Sequence, residues 1–182
     1  MRKFFTIAML LFSFNTIAQT NNQDTLFKKF WTNFQNAVKE DNKTQITEMT
    51  STSFCNNDEC EDSASFLNNY QTIIDFSDDE KFMIKNAKFG KEITAPKRQN
   101  ESGIEYEYGS TISLKKITDK SSLKFYRKKF KLALTAKVYR LEYNCNVILE
   151  DSSHPNQTDF FIFYFGQTTN GYKFCGKGMI GD

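Results

Sequence analysis

Two cysteines five residues apart, in the stretch "FCNNDECEDSA" from Phe54 to Ala64, come nearest to a reactive cluster in this sequence. Thiolates hold zinc, but a tetrahedral site needs four ligands and usually pairs of the form C-x₂₋₄-C. Cys55 and Cys60 lie at the edge of that spacing, and Cys145 and Cys175 fall on separate predicted strands. Nor is the spacing the C-x-x-C of redox catalysis. Asp58, Glu59, Glu61 and Asp62 lack the residue order and the glycine of a calcium loop. They read as solvated acids leading into a helix N-terminus, where negative charge is favoured. The residues call for no metal and no cofactor.

The remaining chemistry is sparse. His154, the single histidine, stands beside Pro155 in a predicted loop and reads as a surface residue rather than a general base. There is no nucleophile elbow, phosphate loop or HExxH. Glu105, Glu107 and Glu142 occupy the polar register of predicted strands and read as solvent-facing. The sharpest charge run is "KFYRKKFK", in which Lys124, Arg127, Lys128, Lys129 and Lys131 are interleaved with Phe125, Tyr126 and Phe130. Basic residues interleaved with aromatics suit an anionic polymer. The competing reading is an edge strand protected from pairing by its lysines. Three N-x-[ST] triplets begin at Asn42, Asn100 and Asn156. Two D-[ST]-[AL] triplets, at Asp24 and Asp62, resemble the O-glycosylation acceptor of some exported bacterial proteins.

The first residues say where such a chain goes. "MRKFFTIAMLLFSFNTIAQT" has a basic start, an apolar run from Phe4 to Phe14, and small residues at Thr16 and Ala18. This is the pattern of a secretory leader over residues 1–18, with cleavage after Ala18. The run is shorter than the roughly 20 residues that span a bilayer, and no later segment predicts a membrane span. The expected location is periplasmic or extracellular. Loss of Arg2 and Lys3 lowers the 24 basic residues to 22, against 22 acidic, a formal net charge of zero. Net charge therefore gives no general attraction to nucleic acid, and an exported chain rarely meets it. Partners reduce to a small apolar ligand, a protein or a surface glycan, and a dimer is compatible with the sequence. In an oxidising compartment an even number of cysteines favours disulfides. The favoured pairing is Cys55–Cys60 and Cys145–Cys175. The second bridge needs bending or an unusual strand order. A simple meander separates its cysteines by two strands, about 9.5 Å, beyond the bridging limit of about 7 Å.

The elements follow from hydrophobic period. Residues 19–24 are polar and expected to be loose, and 25–182 suit one domain with an aromatic core, since they keep all 8 Tyr and all but four of the 19 Phe. Leu26, Phe27, Phe30, Trp31, Phe34, Ala37 and Val38 recur at helical spacing. Asn42 can cap a short helix in "KTQITEMTS", with the cysteine stretch as a loop after it. Phe66, Leu67, Tyr70, Ile73 and Ile74 form a third helical stripe from Ser63. "SDDE" at Ser77–Glu80 is a capping-box pattern. Then the period changes to two. "IEYEYGSTISL" alternates, and so does "KFKLALTAKVYRLEYNCNVIL", with a parity switch near Tyr139 and Arg140 that suggests a bulge. "FFIFYFG" and "GYKFCGKGMIG" around "QTTN" read as a closing hairpin.

The segments "FKKFWTNFQNAVKEDNKTQI", "FLNNYQTII" and "FFIFYFGQTTNGYKFCGKGMIG", in that order, resemble small secreted members of the nuclear transport factor two-like superfamily. The resemblance implies an α+β fold in which N-terminal helices pack on one face of a curved antiparallel sheet, the cystatin-like cone. It also implies a pocket inside the cone, lined by Trp31, Phe34, Tyr70 and Tyr106. Relatives with isomerase or dehydratase activity place an Asp or a His–Asp pair there, and no residue of this sequence matches. The expected function is an exported, non-enzymatic binding or accessory domain. The alternative is an isomerase or hydrolase using an unidentified acid in the cone.

Overall fold

The computed structural model describes residues 24–181 apart from 58, 62, 97, 100–104, 107–109 and 148–156. The leader and His154 lie outside the described residues. Helix α1, residues 24–39, carries the predicted stripe: Phe27, Trp31, Phe34, Ala37 and Val38 are all buried. Two of the next three helices start where their caps dictate. In α2 (Lys43–Met49) the Asn42 side chain accepts from the Gln45 N–H. Helix α3 spans Ser63–Ile74. In α4 (Asp78–Asn86) the box is complete, because Ser77 Oγ accepts from the Glu80 N–H and Glu80 Oε2 accepts from the Ser77 N–H.

The cysteine stretch is not a loop. It forms β1 (Thr50–Asn56) and β2 (Glu59–Cys60), a hairpin in which Cys55 and Cys60 face each other across the ladder and are bridged. The other strands are β3 (Glu92–Thr94), β4 (Arg98–Gln99), β5 (Glu105–Tyr106), β6 (Thr111–Lys116), β7 (Val138–Val147), β8 (Gln157–Thr168) and β9 (Gly171–Gly181). The closing hairpin is β8 and β9, and β7 to β9 form a meander. Strand β1 joins the far side of β9 in parallel, so the sheet is mixed rather than antiparallel.

The sheet order is β2-β1-β9-β8-β7-β5-β4, with β6 also on β7 and β3 on β6. It has two free ends and does not close or curl, which overturns the expected cystatin-like cone. The helices also take both faces. Successive strand residues point to opposite sides. Phe161, Phe163 and Phe165 of β8 enter the main core with α1, α3 and α4, whereas Tyr164 packs in a second cluster with Cys55, Phe130 and Cys175. That second face is covered by α5 (Lys120–Lys129).

Helix α5 contains most of the basic run that reads as strand in the sequence. Asp119 caps it, accepting from the Ser122 N–H at 2.7 Å and the Ser121 hydroxyl at 2.6 Å. Residues 130–137 then form turns before β7 begins. The parity switch near Tyr139 therefore marks the start of a strand, not a bulge. The register shift of the closing hairpin lies instead at Tyr164/Phe165.

The main core is aromatic. Phe27 stacks on Tyr139 at 3.6 Å between ring centroids, and Phe34 meets Phe165 and Phe174, each at 5.4 Å. Each such ring contributes about 1.5–3 kcal/mol by leaving water, so this interlock fixes the helices to the sheet.

The expected Cys145–Cys175 bridge is absent: neither cysteine is in a disulfide, and both are buried. Cys145 lies opposite Asp159 on β8, and Asp159 lies opposite Gly181 on β9, six residues from Cys175. The two cysteines also belong to different clusters on opposite faces. Strand order, position along the strand and face all keep the sulfurs apart.

Candidate functional site

Trp31, Phe34 and Tyr70, three of the four residues expected to line a cone pocket, line neither of the two clefts described below. Trp31 and Phe34 are buried, with Trp31 edge-on to Phe165 at 5.5 Å. Tyr70 is half-buried against the same core. Tyr106 lies on β5 with its backbone opposite Arg98 and Val147, and its side chain lies outside the described residues. The Trp31 indole N–H has no hydrogen-bond partner among the described residues.

One open cleft lies on the second face. A cleft of about 380 Å³ runs between α5 (Phe125, Tyr126, Lys129), β8 (Ile162, Tyr164), the turn at Asn57 and the end of β9 (Lys177 to Met179). Phe125 is 57 % exposed and Met179 is 55 % exposed, so the lip is apolar. Behind the lip, the Tyr126 and Tyr164 hydroxyls share a hydrogen bond of 2.8 Å. Burial first, then this bond, pushes the Tyr164 phenol above its ordinary range, which keeps it protonated. One proton of the pair is spent between the two oxygens, and the other remains for a ligand.

The basic residues divide by role. Lys124, Lys128 and Lys131 are exposed. Arg127 is structural, its Nε donating to the Ala136 carbonyl at 2.7 Å and tying α5 to the following turn. Lys129 Nζ donates to the Asn57 carbonyl at 2.8 Å and lies 5.9 Å from the Phe125 ring centre. Between Lys120 and Lys131 there are six basic residues and no acid. The helix C-terminus favours three of these cations electrostatically. Lys177, at the other wall, pairs with Glu80 at 3.0 Å.

Asn57 joins the walls. Its backbone takes φ +50°, a conformation asparagine tolerates better than most residues. Its N–H donates to Lys177 O at 2.8 Å, and its Oδ1 accepts from the Met179 N–H at 3.0 Å. The sequence reading missed Asn57, Tyr164, Lys177 and Met179. The helical spacing of Leu123, Tyr126 and Phe130 behind Asp119 was the available signal for α5, and it points to a partner ring on the sheet.

Two other polar places deserve comparison. A second cleft, of about 360 Å³, lies between α1 and α4, where Gln35 Nε2 donates to the Ile84 carbonyl at 2.7 Å and to Ala87 O at 3.2 Å. Asp24 is an acid beside a buried tyrosine: its Oδ1 accepts from the Tyr139 hydroxyl at 2.8 Å and lies 3.7 and 3.8 Å from Lys116 and Lys137 Nζ. Burial, and then the Lys116 charge, lowers the Lys137 pKa. This group ties the start of α1 to β6 and β7. Among the described residues no cluster of His, Cys, Asp or Glu suits a metal ion. No described helix is long and apolar enough to cross a membrane.

Comparison with protein-family models, curated proteins and solved structures finds no match, so no relative supports the nuclear transport factor two-like resemblance.

Proposed function

We propose that this protein is an exported, non-enzymatic binding module that holds an acidic glycan on its α5 face. The observation that carries the reading is the exposed Phe125 at the lip of the cleft, beside a helix of basic residues uninterrupted by acid. A sugar ring can lie on Phe125, the Tyr126–Tyr164 hydroxyl pair can hydrogen-bond to its hydroxyls, and Lys124 and Lys128 supply charge for carboxylates. The leader-like first 18 residues support export. An acidic protein would use the lysines but would leave the hydroxyl pair without an evident role.

The test is binding of immobilised polygalacturonate, with dextran and poly-glutamate alongside. Polygalacturonate should bind, weaken with salt, and be lost in a K124E/K128E variant. Binding to dextran alone, or equal binding to poly-glutamate with no loss in Phe125→Ala, would overturn the assignment.

A further inference from the structure

We propose that the Cys55–Cys60 disulfide is a positioning element of this cleft, so that its reduction releases the ligand while the domain stays folded. The inference rests on the reading that the cleft beneath α5 is the binding site.

Three walls of the cleft meet inside the ring that the disulfide closes. Asn57 lies between the bridged cysteines and binds β9 through its N–H and Oδ1, and α5 through its carbonyl. The sulfurs themselves lie against the last residue of α5, with Cys55 Sγ 3.7 Å and Cys60 Sγ 3.9 Å from the Lys129 carbonyl oxygen. Neither sulfur carries a proton, so these are packing contacts. Phe130, the residue that ends α5, packs with Cys55 and Cys175 and lies 5.4 Å from the Tyr164 ring. The bridge thus holds the turn, the helix end and the tyrosine pair in one arrangement, although β2 itself has only two residues.

The disulfide is open to attack on one side only. Cys60 is exposed, whereas Cys55 is 1 % exposed. A thiolate of an external dithiol can bond to Cys60 Sγ; the protein S–S bond breaks and its electron pair leaves on Cys55 Sγ, which takes a proton. The second thiol of the reductant then displaces Cys60 as a thiol and closes the reductant's own disulfide, a balanced two-electron exchange. Cys175 does not compete, because burial pushes its thiol up to about 12. In the loop-closure picture a bridge between residues five apart restricts the unfolded turn by about 30-fold, which bounds what cutting it can release in the folded domain. Global stability rests on the separate aromatic core.

The experiment uses the full chain and polygalacturonate in three forms: oxidised, reduced with dithiothreitol and verified by mass, and Cys60→Ser. Amide exchange is measured on the same samples, since the Phe130 N–H bonds to Tyr126 O at 2.9 Å and reports the end of α5. Reduced and Cys60→Ser proteins should bind about tenfold more weakly, lose protection at Phe130, and keep the oxidised far-UV spectrum. Unchanged affinity with the bond shown to be cut overturns the inference and leaves the site reading intact. Loss of the far-UV spectrum also overturns it, because the bridge is then a staple of the whole fold. If the oxidised protein ignores the probe, the site reading falls and takes the inference with it.

Discussion

The buried pair Glu80–Lys177 offers the most quantitative check on how α4 is tied to the sheet. Glu80 Oε1 lies 3.0 Å from Lys177 Nζ, with side chains 11 % and 14 % exposed, while Glu80 Oε2 closes the capping box of α4. Glu80→Gln keeps an oxygen for the Ser77 N–H but strands the lysine charge above the Phe76 ring, 5.6 Å away. Removing one partner of a buried pair costs about 3–5 kcal/mol, and the slight exposure here favours the lower end, about 3 kcal/mol. Lys177→Met should cost about 2 kcal/mol, because the α4 N-terminus and the Ser77 N–H still stabilise the carboxylate. The double variant should cost about 2 kcal/mol, well below the sum of the two, giving a coupling of about 3 kcal/mol. Thermal unfolding reads this directly, with a fall of about 9 °C for Glu80→Gln in a domain of this size. Additive single costs, or a Glu80→Gln shift under about 2 °C, would refute the buried-pair argument.

Three further outcomes are expected. A methyl group at Gly176 would lie 2.8 Å from the Cys55 backbone oxygen and 2.9 Å from Phe130, so Gly176→Ala should destabilise by about 1–3 kcal/mol in urea titration. Trp31→Phe removes a buried N–H that has no partner among the described residues, so it should cost under about 1.5 kcal/mol, far less than Trp31→Ala at about 3–5 kcal/mol. Asp119 is held down to about 2 by the Ser121 hydroxyl and then by Ser122, so its cap is fully present above the ordinary carboxylate pKa and is lost as pH falls through about 2. The Ser122 amide proton shift should titrate with that midpoint, and a midpoint near 4 would contradict the cap.

Helices α1 to α4 were legible because their signals are local. A 3.6-residue stripe in α1, Asn42 before α2, and Ser77 with Glu80 at α4 act within a few residues of themselves. The closing hairpin and the Cys55–Cys60 bridge were legible for the same reason, since each partner is close in sequence. The cone was not, because the segments that suggested it are core signatures that any sheet covered by helices would show. Around "KFYRKKFKLAL" two periods compete: Phe130, Leu132 and Leu134 alternate as in a strand, while Tyr126 and Phe130 are four apart as in a helix. The competition is settled by Tyr164, 38 residues away from Tyr126, which offers a ring and a hydroxyl to one face of α5.

By itself, then, the sequence determined the aromatic core, the capped helices at its start, and a staple at Cys55 and Cys60. Only the tertiary structure decided which strand the stapled hairpin would join, which face each cysteine would take, and that the basic run would be a helix over a cleft. Those outcomes depend on strand pairing between distant segments: β1 beside β9, with Cys55 opposite Gly176, is a contact across more than a hundred residues. No local period or cap encodes a partner at that range. It is selected by the collective burial of Phe54, Phe130 and Phe174, and by the absence of a side chain at Gly176, where the hairpin and the end of α5 come closest to the sheet.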